Sequence, residues 1–390
     1  MLPHCPPLSP MLARAVDEIP EAMAYEPKWD GWRCLIFVDD DQVSLWSRRG
    51  TEMTEDFPEL VAAARASLPS DCIVDGEVVI ISAGRLDYTK LATRHAAGDK
   101  AAGLAVRHPA TFLAFDLLAV GADDLMPQPQ WLRRDLLLTL LEGTTGPIVP
   151  SPSTTDRALA QEWFDHFEQF GFDGVVAKQQ HATYTPGART VFKIKHRQTA
   201  DVVIGGYRLD RNSTPERPSL GSVQLGLHDE HGTLHFVGVA AAFPGEQRRS
   251  LAETFDSLRL APGSPEYRAH PWHPTRSGEA RIPADVGKRG IDCVHLVEPM
   301  LVCEVTHEAT TPAPIPGVPD LVRFRSNATV QRWRNDKSPY ECTFAQVRRE
   351  QAAPGAGLAD WLSTTRDEGP VPVPISTVPI GDNQQPDERG

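Results

Sequence analysis

Hydrophobic and polar residues alternate along the first part of the chain in a way that predicts β-strands. Residues 33–38 and 43–47 are apolar-rich runs separated by the polar segment 39–42, which predicts a β-hairpin. Similar runs predict strands over 72–82 and 111–120. The chain therefore begins with antiparallel β-structure near its N-terminus.

Two segments further on have the spacing of amphipathic helices. Apolar residues recur about every 3.6 positions over 130–141 and 156–170, which predicts helices there. Strands follow at 173–178 and 190–196. Mixed strands and helices of this kind predict an α+β domain, which we place at residues 8–199.

After residue 200 the pattern changes to short strands. One helix, 246–258, interrupts the predicted strands 202–209, 222–228, 234–241 and 293–304. This predicts a small, partly open β-barrel of the OB-fold type at 200–350, with a small β-sandwich as the alternative. Residues 366–390 contain five prolines and almost no aromatic residue, so we predict a disordered tail over 351–390.

Composition places the chain among globular, non-membrane proteins. Its 390 residues are 41% hydrophobic and 23% charged, which suits two domains and excludes a fibre or a wholly disordered chain. The sequence has neither a signal peptide nor an apolar run of the roughly 18 residues that are needed to cross a bilayer. We therefore expect a protein that is located in the cytosol and has no membrane partner. The six cysteines form no CxxC, which predicts reduced thiols without a zinc site.

The charge is acidic overall but unevenly distributed. A net charge of −13 argues against non-specific nucleic-acid binding through the overall field. Basic residues nevertheless form three clusters, which could bind a phosphate backbone if the fold brings them together, and are otherwise solvated surface. The clusters are Arg48 and Arg49; Lys193, Lys195, His196 and Arg197; and Arg323, Arg325, Arg332, Arg334 and Lys337.

Lys28 is the first candidate for chemistry. It lies in the segment KWDG, where Pro27 and Gly31 predict an irregular turn directly before a strand. A lysine amine is a nucleophile only without its proton, and nearby cations with a desolvated pocket favour that form. A surface lysine in a loop is the alternative.

Other charged residues recur at a spacing of two within predicted strands. Asp75 and Glu77 point to one face of an apolar strand, which is costly unless Mg²⁺ or an arginine lies between them. Lys193 and Lys195 likewise share a face, which predicts a shared anion such as phosphate. Phe115 could offer a ring to a base.

The order of KWDG, SRRG, DGE, FDLL, DGVVAK and KIK resembles the nucleotidyltransferase motifs of ATP-dependent DNA ligases. The later run at 322–337 resembles the last motif of that family, as in the short bacterial repair ligases of the C type. Together the motifs span residues 26–337. The resemblance implies an adenylation domain with antiparallel sheets, followed by a small OB-fold domain.

The resemblance also implies a role for each matching residue. Lys28 would attack the α-phosphate of ATP and carry AMP. The base and ribose would be held by Glu26, Arg33, Phe115 and Val176. Phosphate contacts would come from Arg48, Lys178, Lys193 and Lys195. A divalent metal, Mg²⁺ or Mn²⁺, would be held by Glu77 and Asp173. The leaving pyrophosphate would be engaged by Arg332, Arg334 and Lys337.

The implied activity is the sealing of nicks in duplex DNA during repair or recombination. We expect a monomeric, two-domain enzyme of the bacterial cytosol, near the nucleoid, with modest affinity for intact duplex and no assignable protein partner. An RNA ligase or mRNA-capping nucleotidyltransferase is the closest alternative, and an inactive DNA-binding relative is another. The NAD-dependent ligases are less similar, because only 27 residues precede Lys28 and no four-cysteine zinc module is present.

Overall fold

The described residues form five hydrophobic core clusters, which divide between two parts of the chain. A computed structural model describes residues 1–95, 97–196, 198–273, 294–313, 315, 318, 321–347, 358, 361 and 362. One core is built only from residues between Ala200 and Val347, and the other core clusters come from residues up to Ile194 together with Leu358 and Leu362. Within the described residues, every helix is too short or too polar to cross a membrane.

The first part of the chain combines two sheets with short helices. Its strands are β1 Ala13–Ala15, β2 Ala24–Pro27, β3 Trp32–Asp39, β4 Gln42–Ser47, β5 Cys72–Ser82, β6 Arg85–Leu86, β7 Ala110–Val120, β8 Asp123–Asp124, β9 Ile148–Pro150, β10 Gly174–Lys178 and β11 Val191–Lys195. Its helices are α1 Pro58–Ser67, α2 Tyr88–Ala92, α3 Ala101–Arg107, α4 Gln130–Leu141 and α5 Arg157–His166, with 3₁₀ turns at Thr54–Asp56, Gly98–Lys100 and Phe167–Phe170.

The two sheets are joined by the segment that contains Lys28. The larger sheet has the order β4-β3-β5-β7-β8, with β6 beside β5 and β9 beside β7. The smaller sheet has the order β1-β11-β10-β2. Pairing is antiparallel except for β1 with β11 and β7 with β9. Because β2 belongs to one sheet and β3 to the other, the residues between them lie where the sheets meet.

Sequence periodicity predicted the main elements of this α+β fold. The hairpin of β3 and β4 is confirmed, and β5 has the predicted bounds 72–82. Helix α4 also matches its prediction, whereas the segment predicted as one helix at 156–170 divides into α5 and a 3₁₀ turn. The short elements β1, β2 and α1 to α3 were not predicted, because three to ten residues carry too little periodicity.

The second part is a five-stranded antiparallel sheet with the order β14-β13-β12-β15-β18. Its elements are β12 Gln198–Leu209, β13 Leu220–His228, β14 Leu234–Ala240, α6 Gln247–Ser257, α7 Pro265–Ala269, β15 His295–His307, β16 Thr310–Pro312, β17 Val322–Phe324 and β18 Thr329–Trp333, with 3₁₀ turns at Pro339–Glu341 and Phe344–Gln346. Helix α6 matches the helix predicted at 246–258. The first residue of the predicted strand 293–304, Cys293, lies outside the described residues.

The edges of this sheet approach each other. Ala240, at the end of β14, forms an isolated parallel bridge with Ala328, directly before β18. The hairpin of β16 and β17 packs beside β14, where Gly238 lies against the ring of Phe324. The sheet therefore curves toward closure around its core.

The prediction of a disordered tail at 351–390 requires a correction at three residues; the rest of the tail lies outside the described residues. Leu358 and Leu362 are buried in a core cluster of the first part, and Trp361 packs against the same cluster. Their spacing of three and four residues places all three on one face of a helix. The apolar face that these three residues form packs on a core, although the residues around them have the composition of a disordered segment.

The described cysteines are free thiols, as predicted; Cys293 is outside the described residues. Cys34, Cys72, Cys303 and Cys342 are buried, and Cys5 is exposed. Burial raises the pKa of the Cys72 and Cys342 thiols to about 12. These four buried thiols therefore act as apolar core residues.

A buried ion pair joins α4 to β7. The guanidinium of Arg133 donates to both carboxylate oxygens of Asp116, at 2.7 and 2.9 Å, and also to the carbonyl oxygens of Gln128 and Ala182. Both side chains are almost completely buried.

We expect Arg133→Met to destabilise the fold by about 3–5 kcal/mol, because it leaves the Asp116 carboxylate buried without its charged partner. Urea unfolding followed by circular dichroism measures the loss. Arg107→Met, at an exposed position near the end of α3, is the control and should stay within about 0.5 kcal/mol of the parent. Equal unfolding midpoints for Arg133→Met and the parent would show that the pair does not stabilise the fold.

Candidate active site

A cavity of about 990 Å³ is lined by residues from both sheets of the first part and by Glu308 and Arg325 of the second part. Its size suits a nucleotide. Eleven residues that the sequence marked line it together: Glu26, Lys28, Arg33, Arg48, Glu77, Phe115, Asp173, Val176, Lys178, Lys193 and Lys195. The fold thus brings together residues that are up to 169 positions apart in the sequence, from Glu26 to Lys195.

The backbone around Lys28 is fixed by two close approaches. The Lys28 N–H donates to the carbonyl oxygen of Gly174 at 2.9 Å, and the Asp173 N–H donates to the carbonyl oxygen of Lys28 at 3.0 Å. Gly31 passes so close to β5 that a Cβ there would lie 2.3 Å from the carbonyl oxygen of Val78. The loop before β10 and the turn after β2 therefore hold each other in place.

The side chain of Lys28 forms an ion pair with Asp173. Its Nζ donates to Oδ2 of Asp173 at 2.8 Å, and Nζ of Lys195 lies 3.2 Å from the same oxygen. Burial alone would raise the pKa of Asp173, but Lys28 and Lys195 together hold it well below its usual range. An ammonium bound to a carboxylate is not a nucleophile, so any reaction of the Lys28 amine would require that Asp173 release it.

Cations gather around this pair. Lys193 and Lys195 alternate on β11 and so share a face, as predicted. Burial, together with the neighbouring ammonium groups of Lys195 and Lys28, lowers the pKa of Lys193. Arg48, at the exposed end of β4, lines the same cavity. Like charges held this close make the region a binding site for an anion.

Glu26 and Lys178 mark a different end of the cavity. Nζ of Lys178 donates to Oε1 of Glu26 at 2.7 Å and lies 4.5 Å from the centre of the Phe115 ring. Val176 is register-paired with Glu26 on the neighbouring strand. Lys178 therefore lies among the residues predicted to hold the base, whereas the resemblance had implied a phosphate contact for it.

The carboxylates of β5 have different partners. Arg33 donates two hydrogen bonds of 2.5 Å to Asp75, which also accepts one from the hydroxyl of Tyr184 at 2.7 Å. The positive partner of Asp75 is therefore an arginine. The Arg33 guanidinium also stacks on the Phe115 ring at 4.5 Å. Tyr184 carried no sequence signal, because it comes from a loop 109 residues from Asp75.

Glu77 remains as a possible metal ligand. It is half-buried in the cavity lining, and burial raises its pKa to about 7, although Arg33 and Lys28 oppose the rise. Among the described residues, no group of three or more His, Cys, Asp or Glu side chains converges as a metal site. Glu77 and Asp173 nevertheless fit Mg²⁺, because this ion binds through one or two carboxylates together with substrate phosphates.

The second part of the chain reaches the cavity through two ion pairs that the sequence did not reveal. Nη1 of Arg325 donates to both oxygens of Asp30, at 2.7 and 2.5 Å, and the guanidinium stacks on Tyr88 at 4.5 Å. Glu308 lies 2.9 Å from Nζ of Lys195. Asp30 belongs to the KWDG motif, so the second part contacts the segment that carries Lys28.

Three predicted residues of the second part lie away from the cavity. Arg332 pairs with Glu304, while Arg334 and Lys337 both pair with Asp201, at 2.9 and 2.8 Å. None of the three lines the cavity in this arrangement. The described residues of the three basic clusters that reach it are Arg48, Arg49, Lys193, Lys195 and Arg325; Arg197 lies outside the described residues.

The chain resembles known proteins over most of its length. Residues 10–195 match the family described as ATP dependent DNA ligase domain. The chain is 43% identical to DNA ligase C of Mycobacterium tuberculosis over 364 residues, covering 89% of this chain and 96% of the relative. It is 40% identical to DNA ligase C2 of Mycolicibacterium smegmatis, covering 89% and 96%.

The fold also resembles a solved structure. The structure named Pmar-Lig_PreS3 has a TM-score of 0.56 at 16% identity, covering 84% of this chain and 68% of that one. At this identity the likeness concerns the fold alone. It agrees with an α+β architecture built on antiparallel sheets.

We expect the double substitution Glu308→Gln and Arg325→Gln to separate the two parts of the chain. Half-buried ion pairs contribute about 0.5–1 kcal/mol each, so losing both should favour separated conformers by about 5- to 30-fold. Small-angle X-ray scattering should then give a larger radius of gyration. Arg332→Gln, whose partner Glu304 lies in the same part, is the control. Superimposable scattering curves for the parent and the double variant would contradict this expectation.

Proposed function

The chain belongs to the ATP-dependent DNA ligase family, and we propose that it seals nicks in duplex DNA through AMP bound covalently to Lys28. The observation that carries this proposal is the position of Lys28. Its Nζ lies beside Lys195 and Asp173 in a nucleotide-sized cavity. The proposed base-binding residues Glu26 and Phe115 line the same cavity. Few other reactions need a lysine amine at the centre of a cationic pocket.

In the first proposed step, the Lys28 amine attacks the α-phosphate of ATP. A P–N bond forms, the bond to pyrophosphate breaks, and the amine proton is lost to solvent. Lys193, Lys195 and Arg48 would bind the phosphates, and their charge would stabilise the charge that develops on the phosphoryl oxygens. These anions would also offer Lys28 a partner other than Asp173, which would weaken the Lys28–Asp173 ion pair.

A divalent cation fits the carboxylates of Glu77 and Asp173. When bound, it would neutralise charge on the phosphates of ATP. Asp173 can then serve two partners in turn, since the carboxylate that pairs with Lys28 in this structure is the one proposed to hold the metal. The raised pKa of Glu77 reflects a carboxylate that burial leaves without a direct cationic partner.

Glu26 and Lys178 give the cavity a preference for adenine. The carboxylate of Glu26 would accept from the adenine amino group, and the Lys178 ammonium would donate to the adjacent ring nitrogen, with the base between Phe115 and Val176. Arg33, fixed by Asp75, would hold the ribose. Guanine presents an oxygen and an N–H at the same two positions. Its oxygen would face the Glu26 carboxylate, acceptor against acceptor, and its N–H would face the Lys178 ammonium, donor against donor.

In the remaining proposed steps, AMP moves from Lys28 to the 5′-phosphate of the nick, and the 3′-hydroxyl then displaces it to join the strand.

We propose an adenylation domain at 8–199, an OB-fold domain at 200–350 and a tail at 351–390, in which Leu358, Trp361 and Leu362 are docked on the adenylation domain. The five-stranded order and the bridge between Ala240 and Ala328 support the OB-fold.

We further propose that Arg332, Arg334 and Lys337 engage the leaving pyrophosphate in a second arrangement of the domains. In this structure their partners are carboxylates within the OB-fold domain, which a polyphosphate could replace.

Arg49 lines the cavity together with Arg48, where DNA would bind after nucleotide transfer. We place the enzyme in the cytosol as a monomer.

We expect Lys28→Ala to abolish labelling of the protein by α-³²P-ATP and to reduce nick sealing by about 10⁴-fold or more, because the nucleophile is gone. Labelled, denatured protein and a nicked duplex measure the two activities. Lys100→Ala, at an exposed lysine, should label like the parent. Pyrophosphate treatment before labelling removes any AMP already bound. Labelling of Lys28→Ala at the parent rate would refute the covalent role.

We expect Glu26→Gln to reduce the preference for ATP over GTP by about 10- to 100-fold, because the carboxamide can donate to the guanine oxygen. Labelling rates with the two nucleotides give the ratio. Glu52→Gln, an exposed residue outside the cavity lining, is the control. A parent enzyme that prefers GTP would favour a capping-type nucleotidyltransferase instead.

A further inference from the structure

The chain returns to the adenylation domain after it has completed the OB-fold domain. Val347 is the last described residue of the OB-fold core, whereas Leu358 and Leu362 are buried in a cluster with Trp29, Val79 and other residues of the first domain. The N–H of Leu358 donates to the carbonyl oxygen of Gly84 at 3.0 Å. The C-terminal segment is therefore part of the catalytic domain's packing.

Trp361 is surrounded by aromatic rings. Its ring centre lies 5.0 Å from Phe167, 6.0 Å from Phe172 and 6.1 Å from Trp163, each in an edge-to-face arrangement. Phe172 in turn packs against Trp29 at 4.7 Å, again edge to face. Such contacts are directional, so a shift of one ring displaces the next.

This chain of rings ends at the reactive groups. Trp29 follows Lys28 directly, and Phe172 precedes Asp173 directly. The backbones of these two segments are also hydrogen-bonded, at 2.9 and 3.0 Å. Trp29 is anchored further by a hydrogen bond of 2.8 Å from its Nε1 to the hydroxyl of Ser151. One ring contact thus separates Trp361 from the segment of Asp173, and two separate it from the segment of Lys28.

We propose that Trp361 is a positioning residue for the adenylation step, acting through Phe172 and Trp29 on Lys28 and Asp173. Trp361 is not among the cavity-lining residues, so it would change the geometry of the nucleophile and not the affinity for ATP. The proposal rests on the proposed role of Lys28. It predicts a loss in the rate of the chemical step with ATP binding preserved.

The test compares full-length Trp361→Ala and Trp361→Phe with the parent in single-turnover labelling by α-³²P-ATP over a range of ATP concentrations. Leu141→Ala is the control, because Leu141 is buried in a different core cluster of the same domain. Circular dichroism sets a temperature at which every variant is folded. Should Trp361→Ala not fold, Trp361→Leu keeps an apolar side chain without the ring contacts and carries the same expectation.

We expect Trp361→Ala to lower the rate constant at saturating ATP by about tenfold, with the half-saturating ATP concentration within about twofold of the parent. Trp361→Phe should recover most of the rate, and Leu141→Ala should keep it. An unchanged rate constant in Trp361→Ala, or an equal loss in Leu141→Ala, would overturn the positioning role. A parent enzyme that takes no label after pyrophosphate treatment would instead overturn the proposed function of Lys28.

Discussion

The ion pair of Lys28 with Asp173 is the contact on which the rest of the site depends. Two segments 145 residues apart present these side chains, and each segment supplies a backbone hydrogen bond to the other. The larger sheet begins directly after the first segment, and β10 of the smaller sheet begins directly after the second. The pair therefore fixes the junction between the sheets as well as the proposed nucleophile. A rigid junction keeps a reactive amine within reach of its target without ordering it anew in each cycle.

The charges around this junction explain how an acidic protein can hold polyanions. The net charge is −13, yet the cavity is lined by Lys28, Lys193, Lys195, Arg48 and further basic residues. In this structure most of their charge is balanced internally by carboxylates, such as Asp173 for two of the lysines. A nucleotide phosphate would take the place of these carboxylates. Such exchange costs less than removing unpaired cations from water, so the site is prepared for an anion without being destabilised in its absence.

Sequence patterns predicted the long elements and the residues of the site, but not how the domains meet. Strand β5 and helix α4 were predicted because eleven or twelve residues show a clear period. The eleven cavity residues that the sequence had marked in the first part were found because each lies in or beside a short motif. Tyr184, Glu308 and the partnership of Arg325 with Asp30 lie outside any local pattern, since they depend on tertiary contacts. Leu358, Trp361 and Leu362 did carry a signal, the spacing of a helix face, which the proline-rich composition that follows them obscured.

The path of the chain limits how the two domains can rearrange. The second part of the chain is connected to the first part at both ends, through the start of β12 at Gln198 and through Leu358 and Leu362, which pack in the first part. Ten residues separate Val347 from Leu358, so these two residues lie at most about 40 Å apart when the chain between them is fully extended. Within that limit, Arg325 and Glu308 can leave the cavity while Trp361 stays in place. A larger displacement would pull Trp361 from Phe172 and, under the proposed positioning role, would change the geometry of Lys28 as well.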